Sequence, residues 1–172
     1  LGSMGTSGNY SLTINGGFAI VNVASGDHDG FDSNGTITMT GGIAVTNGNE
    51  PFDSDGSISF TGGVWIENSA SGGSYMDTQP SYTVNGGSVS QGERISLVDS
   101  NGNVIVSFKA GKSVSTLRAG GNVSGASFQT GGTLNGSTYF IDGQECAYGG
   151  TLSGGTSSSG SGSSGSNPWG QF

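Results

Sequence analysis

The stretch Phe31-Asp32-Ser33-Asn34-Gly35-Thr36-Ile37-Thr38-Met39-Thr40-Gly41-Gly42 decides how the rest of the chain is read. A near copy follows, Phe52-Asp53-Ser54-Asp55-Gly56-Ser57-Ile58-Ser59-Phe60-Thr61-Gly62-Gly63. A looser copy runs Met76-Asp77-Thr78-Gln79-Pro80-Ser81-Tyr82-Thr83-Val84-Asn85-Gly86-Gly87. In each, an aspartate precedes Gly-Gly by nine positions (32 to 41, 53 to 62, 77 to 86), with an alternating polar/apolar run between. A fixed internal register marks a repeat architecture, and it outranks the reading of any single residue.

Working outward, Gly-Gly pairs begin at 16, 41, 62 and 86, at spacings of 25, 21 and 24. Residues 11–15, 36–40, 57–61 and 81–85 alternate before each pair, and short runs at 18–23, 43–46 and 64–67 follow the first three. Each repeat therefore reads as strand, glycine turn, strand, loop. Equal spacing of matched residue types favours parallel strands stacked about 4.8 Å apart over an antiparallel meander. The predicted inward ladders are Leu12/Ile37/Ile58/Tyr82 and Ile14/Met39/Phe60/Val84, continued past the turn by Ile43/Val64 and Val45/Ile66. The outward ladders are Ser11/Thr36/Ser57/Ser81, Thr13/Thr38/Ser59/Thr83 and Asn15/Thr40/Thr61/Asn85. A one-residue slip would destroy both sets. The expectation is an all-β chain in which residues 10–90 form about four coils of a parallel β-helix.

Composition agrees. Of 172 residues, 36 are glycine, 9% are charged and 31% hydrophobic, too few apolar residues for a helical bundle. No window carries a useful 3.6-residue period, and no apolar run is long enough to span a membrane as a helix. Leu1-Gly2-Ser3-Met4 reads as an expression remnant, with residues 1–9 a frayed terminus. The lone Cys146 excludes an internal disulfide and reads as a small buried filler.

After Gly87 the register breaks. Arg94–Asp99 and Asn103–Lys109 flank Ser100-Asn101-Gly102, a strong hairpin signal. Short strands are expected at 113–118, 126–130 and 138–142. Residues 91–152 are thus predicted to be an antiparallel β cap over the open end of the coils. Residues 153–172 read as a Gly/Ser linker ending in an aromatic tail, Asn167-Pro168-Trp169-Gly170-Gln171-Phe172.

The net charge of −8 is confined to the repeats. Residues 1–77 hold eight acids and no Lys or Arg, whereas 78–172 hold four acids and four bases. Such a surface repels nucleic acid and anionic membranes and attracts cations. In the repeat register Asp32, Asp53 and Asp77 stack, with Asn34 and Asp55 beside them. Like charges opposed across strands are destabilising, and a hard divalent cation reverses that sign; Ca²⁺ takes six to eight oxygen ligands. One Cys and one His do not supply a zinc site. Counting from Asp27 puts Phe31 fifth and Thr38 twelfth, so an EF-hand loop is excluded.

Gly26-Asp27-His28-Asp29-Gly30-Phe31-Asp32-Ser33-Asn34-Gly35, the following Thr-x-Thr-Gly-Gly, and Ser96-Leu97-Val98-Asp99-Ser100-Asn101-Gly102-Asn103-Val104-Ile105 resemble the carbohydrate-binding domain of secreted clostridial proteins. The resemblance covers roughly residues 10–150. It implies a pectate-lyase-like, right-handed parallel β-helix, calcium at Asp27, Asp29, Asp32, Asp53 and Asp55, and binding to cellulose and acidic plant polysaccharide. Together these readings assign Ca²⁺ to Asp27, Asp29, Asp32, Asn34, Asp53, Asp55 and Asp77. Carbohydrate contacts are assigned to Trp65, Tyr75, Thr38 and Ser59, Trp65 being expected to point outward between Val64 and Ile66. The function expected is a non-catalytic, calcium-stabilised polysaccharide-binding module outside the cell or on a bacterial surface. Two alternatives stand beside it. One is a structural or adhesive unit assembling head to tail, through residues 167–172 or the open N-terminal coil edge. The other is a polysaccharide lyase, disfavoured because residues 1–93 contain no Lys or Arg to serve as base.

Overall fold

A computed structural model describes residues 9–23, 29–48, 50–69, 79–141 and 144–159. The chain is all-β, and no helix occurs among the described residues. Three sets of parallel strands carry the repeats. In the first, β1 (Ser11–Ile14), β4 (Thr36–Met39) and β7 (Ile58–Phe60) stand side by side, pairing Leu12 with Ile37 with Ile58 and Thr13 with Thr38 with Ser59. In the second, β2 (Phe18–Val21), β5 (Ile43–Thr46) and β8 (Val64–Ser69) pair Ala19 with Ala44 with Trp65 and Ile20 with Val45 with Ile66. In the third, β3 (Phe31–Ser33) and β6 (Phe52–Ser54) pair Phe31 with Phe52 and Asp32 with Asp53. The register expected from the glycine spacing is the one observed. It rests on the second glycine of each pair: Gly17, Gly42 and Gly63 have φ of 78°, 87° and 92°, a left-handed conformation that glycine alone adopts without cost.

The fourth repeat departs from expectation. Val84 and Asn85 belong to β9 (Val84–Gly86), which does not add in parallel to β7. Instead β12 (Thr116–Gly121) inserts antiparallel between β8 and β9, giving a five-stranded mixed sheet ordered β2-β5-β8-β12-β9. Among the described residues the parallel ladders reach three strands, not four, and beside β8 the place of a fourth is taken by β12. Gly87 accordingly has no left-handed φ. An asparagine column records the same break. Asn47 donates from Nδ2 to Asn22 Oδ1 at 3.0 Å, and the register places Asn68 next in line. There Leu117 of β12 stands opposite Asn68, whose buried side-chain amide has no protein hydrogen-bond partner.

Two apolar clusters share the mixed sheet as a wall. Ile37, Met39, Ala44, Phe52 and Trp65 form one, drawn from all three parallel sets, with Leu12, Ile14, Phe31, Ile58, Phe60 and Tyr82 packed against it. Its rings interlock: Phe31 stacks on Phe52 (5.3 Å, 7°), Phe52 meets Phe60 edge-on (5.0 Å), and Phe60 meets Trp65 edge-on (5.0 Å). The second cluster lies on the other face of the same wall and takes Val45, Val64 and Ile66 together with Ile95, Leu97, Val106, Phe108, Leu117 and Phe128. The expectation for Trp65 is therefore corrected. The expected facing of this sheet is inverted: Ala44 and Trp65 join Ile37 and Met39 inside the repeats. Ile43/Val64 and Val45/Ile66, expected to continue those inward ladders, pack into the other cluster. With both faces of β8 covered, Trp65 is only 6% exposed. Its indole Nε1 donates to the Ser81 carbonyl at 2.9 Å.

The second cluster is closed by the antiparallel segment. β10 (Arg94–Val98) and β11 (Val104–Lys109) form the expected hairpin, with a register shift at Leu97/Val98. Asp99 caps its turn, accepting from the backbone N–H of Asn101 and Asn103 at 2.8 Å each. β13 (Ser127–Thr130), β15 (Tyr139–Ile141) and β16 (Gln144–Ala147) extend this sheet. β14 (Thr133–Asn135) pairs with β17 (Thr151–Ser153). Cys146 is buried, as expected. Beyond 153, Thr156–Ser157 form β18 against β13, and Ser158 Oγ accepts from the Gly87 N–H at 2.8 Å. The Gly/Ser segment thus begins as a paired edge strand. Residues 167–172 lie outside the described residues.

Candidate functional site

The acidic turn leading into β3 and its copy leading into β6 stack in register. Gly30 N–H donates to the Glu50 carbonyl (2.8 Å) and Phe31 N–H to the Pro51 carbonyl (3.0 Å). This brings three carboxylates together: Asp29, Glu50 and Asp53 each offer an oxygen within 4.8 Å of the other two. Asp32 is paired directly with Asp53 one repeat away. Asp53 feels this crowding. Its carboxyl is held above the ordinary 3.8, chiefly by partial burial and then by the Asp32 charge, with Asp55 adding and a backbone hydrogen bond at Ser54 opposing. A group of three to four carboxylates with like-charge strain is a hard, oxygen-rich donor set of the kind Ca²⁺ takes.

The metal residues expected from sequence divide into separate groups. Asp29 and Asp53 belong to this cluster, and Asp32 stands beside it as the strand neighbour of Asp53. Asn34 and Asp55 stack at the following turn and bind each other instead, Asn34 Nδ2 donating to Asp55 Oδ2 at 3.2 Å. Asp27 and Asp77 lie outside the described residues, as does Tyr75. Glu50, the third member of the cluster, is not among the metal residues expected from sequence. Its signal was present: Glu50 precedes Asp53 by three, as Asp29 precedes Asp32.

Of the residues expected to touch carbohydrate, Thr38 and Ser59 are neighbours on the outer face of β4 and β7, Ser59 exposed and Thr38 half-buried. The face continues through Thr13 and through Thr40, whose hydroxyl donates to Asn15 Oδ1 at 2.9 Å. Trp65 is not on it. At one end of this hydroxyl face lies a cleft of about 390 Å³ bounded by Tyr10, Asn34, Thr36 and Asp55.

A further polar group sits inside the wall. Glu67 of β8 is wholly buried and pairs with Arg118 of β12, whose Nε donates to Glu67 Oε2 at 2.7 Å. The Arg118 guanidinium also lies 4.6 Å over the Tyr82 ring. Burial pushes the Glu67 carboxyl up while Arg118 pulls it down, and burial with the Glu67 charge drives the Tyr82 phenol far above its usual range. The other basic groups in contact serve elsewhere: Arg94 and Lys109 both engage Glu145. Comparison with protein-family models, curated proteins and solved structures gives no match for this chain.

Proposed function

We propose that the three parallel strand sets are the faces of a right-handed parallel β-helix, and that this chain is a non-catalytic, extracellular module that binds polysaccharide and is stabilised by calcium. One observation carries the reading: the in-register convergence of Asp29, Glu50 and Asp53, with Asp32 alongside, in a half of the chain that contains no Lys or Arg. A bound Ca²⁺ turns that repulsion into attraction and ties one repeat to the next. The flat face of Thr13, Thr38 and Ser59 beside it supplies hydroxyls at the regular strand spacing, suited to a linear glycan. Acidic plant polysaccharide reaches such a surface by sharing the calcium; cellulose reaches it through hydroxyl contacts.

Two features support this over the alternatives. Arg118 is committed to Glu67, and Arg94 and Lys109 to Glu145, so none of the three stands at the carboxylates where a lyase needs its base. Head-to-tail assembly through the repeat ends meets an obstacle, because β12 already occupies the far edge of β8.

The test is calcium-dependent stability and glycan retention. Calcium at 100 times its dissociation constant adds about 2.7 kcal/mol, hence about 5–10 °C in Tm for a domain this size. Asp53→Asn should remove that response, and EDTA should release the protein from polygalacturonate. An unchanged Tm in calcium, together with no retention on cellulose or polygalacturonate, would refute the proposal.

A further inference from the structure

The geometry points to a binding cleft for one uncharged hexopyranose unit, formed by Tyr10, Asn34 and Asp55 at the N-terminal end of the hydroxyl face. This inference rests on the carbohydrate reading above and gives it a ligand class and a place.

Tyr10 is out of pattern. The repeat offsets that pair Ser11 with Thr36 put Tyr10 level with Gly35, and the next offset puts Gly35 level with Gly56. Glycine is required at both later positions. A Cβ on Gly35 would lie 1.9 Å from the Tyr10 carbonyl oxygen, and one on Gly56 would lie 2.5 Å from the Gly35 carbonyl oxygen. Where the chain has the least room for a side chain in two repeats, the first carries a tyrosine. Packing does not account for it: Tyr10 is 55% exposed, the most exposed large hydrophobic residue among those described. An aromatic ring left in solvent at the lip of a cleft is a stacking surface.

The rest of the cleft is built to complement ring hydroxyls. The glycines at 35 and 56 leave a floor without side chains, and the cleft has about 390 Å³, enough for one sugar ring. The Asn34 amide and the Asp55 carboxylate lie 3.2 Å apart. Their contact uses one N–H and one oxygen, which leaves a second N–H, the Asn34 carbonyl oxygen and further carboxylate lone pairs to meet neighbouring hydroxyls. Ser11 and Thr36, neighbours in register, add hydroxyls to the lining. Charge then selects the ligand. No Lys or Arg lies in residues 1–93, Asp55 lines the cleft, and Asp32 and Asp53 sit in β3 and β6 just ahead of its lining turns, so a uronate carboxylate is repelled where a neutral ring is not.

The experiment is calorimetric titration of the full chain, in EDTA, with cellohexaose and with hexagalacturonate, beside pull-down on cellulose. Cellohexaose should bind. Tyr10→Ala and Asp55→Ala should each weaken it by about tenfold, with Tm held near the parent value. Tyr10→Phe should keep the affinity, since only the ring face is used. Hexagalacturonate should bind at least about tenfold more weakly than cellohexaose. Parent-like affinity in Tyr10→Ala and Asp55→Ala overturns the cleft while leaving the module reading standing. Equal binding of hexagalacturonate in EDTA overturns the charge selection. If the parent chain binds neither oligosaccharide nor cellulose, the cleft and the cellulose-binding part of the module reading fail together.

Discussion

Replacing Arg118 with methionine is the sharpest test of how the two halves of the molecule are joined. Glu67 has 0% side-chain exposure, and Arg118, 28% exposed, is its charge partner. Methionine keeps most of the apolar stem and removes the guanidinium, with its ion pair to Glu67 and its contact over the Tyr82 ring. A buried carboxylate left without its partner costs about 3–5 kcal/mol. Arg118 is partly open to water, which places the expectation at the lower end, about 3 kcal/mol, or about 6–12 °C in Tm for a domain of this size. The loss should depend on pH, with a definite sign. Burial already raises the Glu67 carboxyl above its ordinary value, and Arg118 is what opposes that rise. Without Arg118 the folded-state value climbs further above the unfolded one. A carboxyl raised in this way is tolerated while protonated and destabilises as pH rises through its folded pKa. The deficit relative to the parent chain should therefore be small near pH 5 and full at pH 8. Urea unfolding at both pH values measures it. The double variant Glu67→Leu/Arg118→Met, which removes both charges, should recover most of the loss at pH 8. A deficit under about 1 kcal/mol at pH 8, or one that does not change with pH, would show that Glu67 is hydrated and the pairing between β8 and β12 looser than described.

Other outcomes follow from the same geometry. Asp53 has a raised folded pKa, so in EDTA the parent chain should lose stability as pH rises through that value, and Asp53→Asn should flatten this part of the Tm-versus-pH curve. Trp65→Ala should cost about 3–5 kcal/mol by opening a large cavity; with Trp169→Phe as background, the Trp65 fluorescence should resist acrylamide quenching. Gly35→Ala should destabilise by about 2 kcal/mol or more, because its Cβ meets the backbone of Tyr10, while Gly16→Ala, with nothing within 4 Å, should be close to neutral; thermal melts of the pair decide this.

The parallel register was legible to the residue. Leu12, Ile37 and Ile58 align because side-chain alternation and Gly-Gly spacing constrain each other, and a slip would have inverted both faces. The Asp99–Asn103 turn was equally plain, being local chemistry. What stayed hidden was long-range. Nothing within residues 113–121 announces that β12 enters a sheet begun at Phe18, so spacing alone predicts a fourth parallel repeat. Nothing in the alternation shows that the inward phase inverts across Gly62-Gly63, so it predicts Val64 and Ile66 inside and Trp65 outside. Alternation reports that Val64 and Trp65 face opposite ways; it does not report that both ways are inside. Two local signals went unused. Asn22, Asn47 and Asn68 recur at 25 and 21, the spacing of the glycine pairs, and Glu50 stands to Asp53 as Asp29 stands to Asp32.

The wall made by β2, β5 and β8 gives the molecule a direction of growth. Among the described residues β1, β2 and β3 each end their sheet, so on that side an added segment of 21 to 25 residues has strands to pair with and needs only its own Gly-Gly turn to stack. On the other side it would first have to extract β12, exposing Val64 and Ile66 and stranding Glu67 without Arg118. Lengthening by whole repeats is therefore compatible with this fold ahead of Tyr10 and incompatible with it after Ser69. A cut at residue 90 likewise yields no independent pieces, since the boundary between the two halves is a sheet they both own rather than a point along the chain.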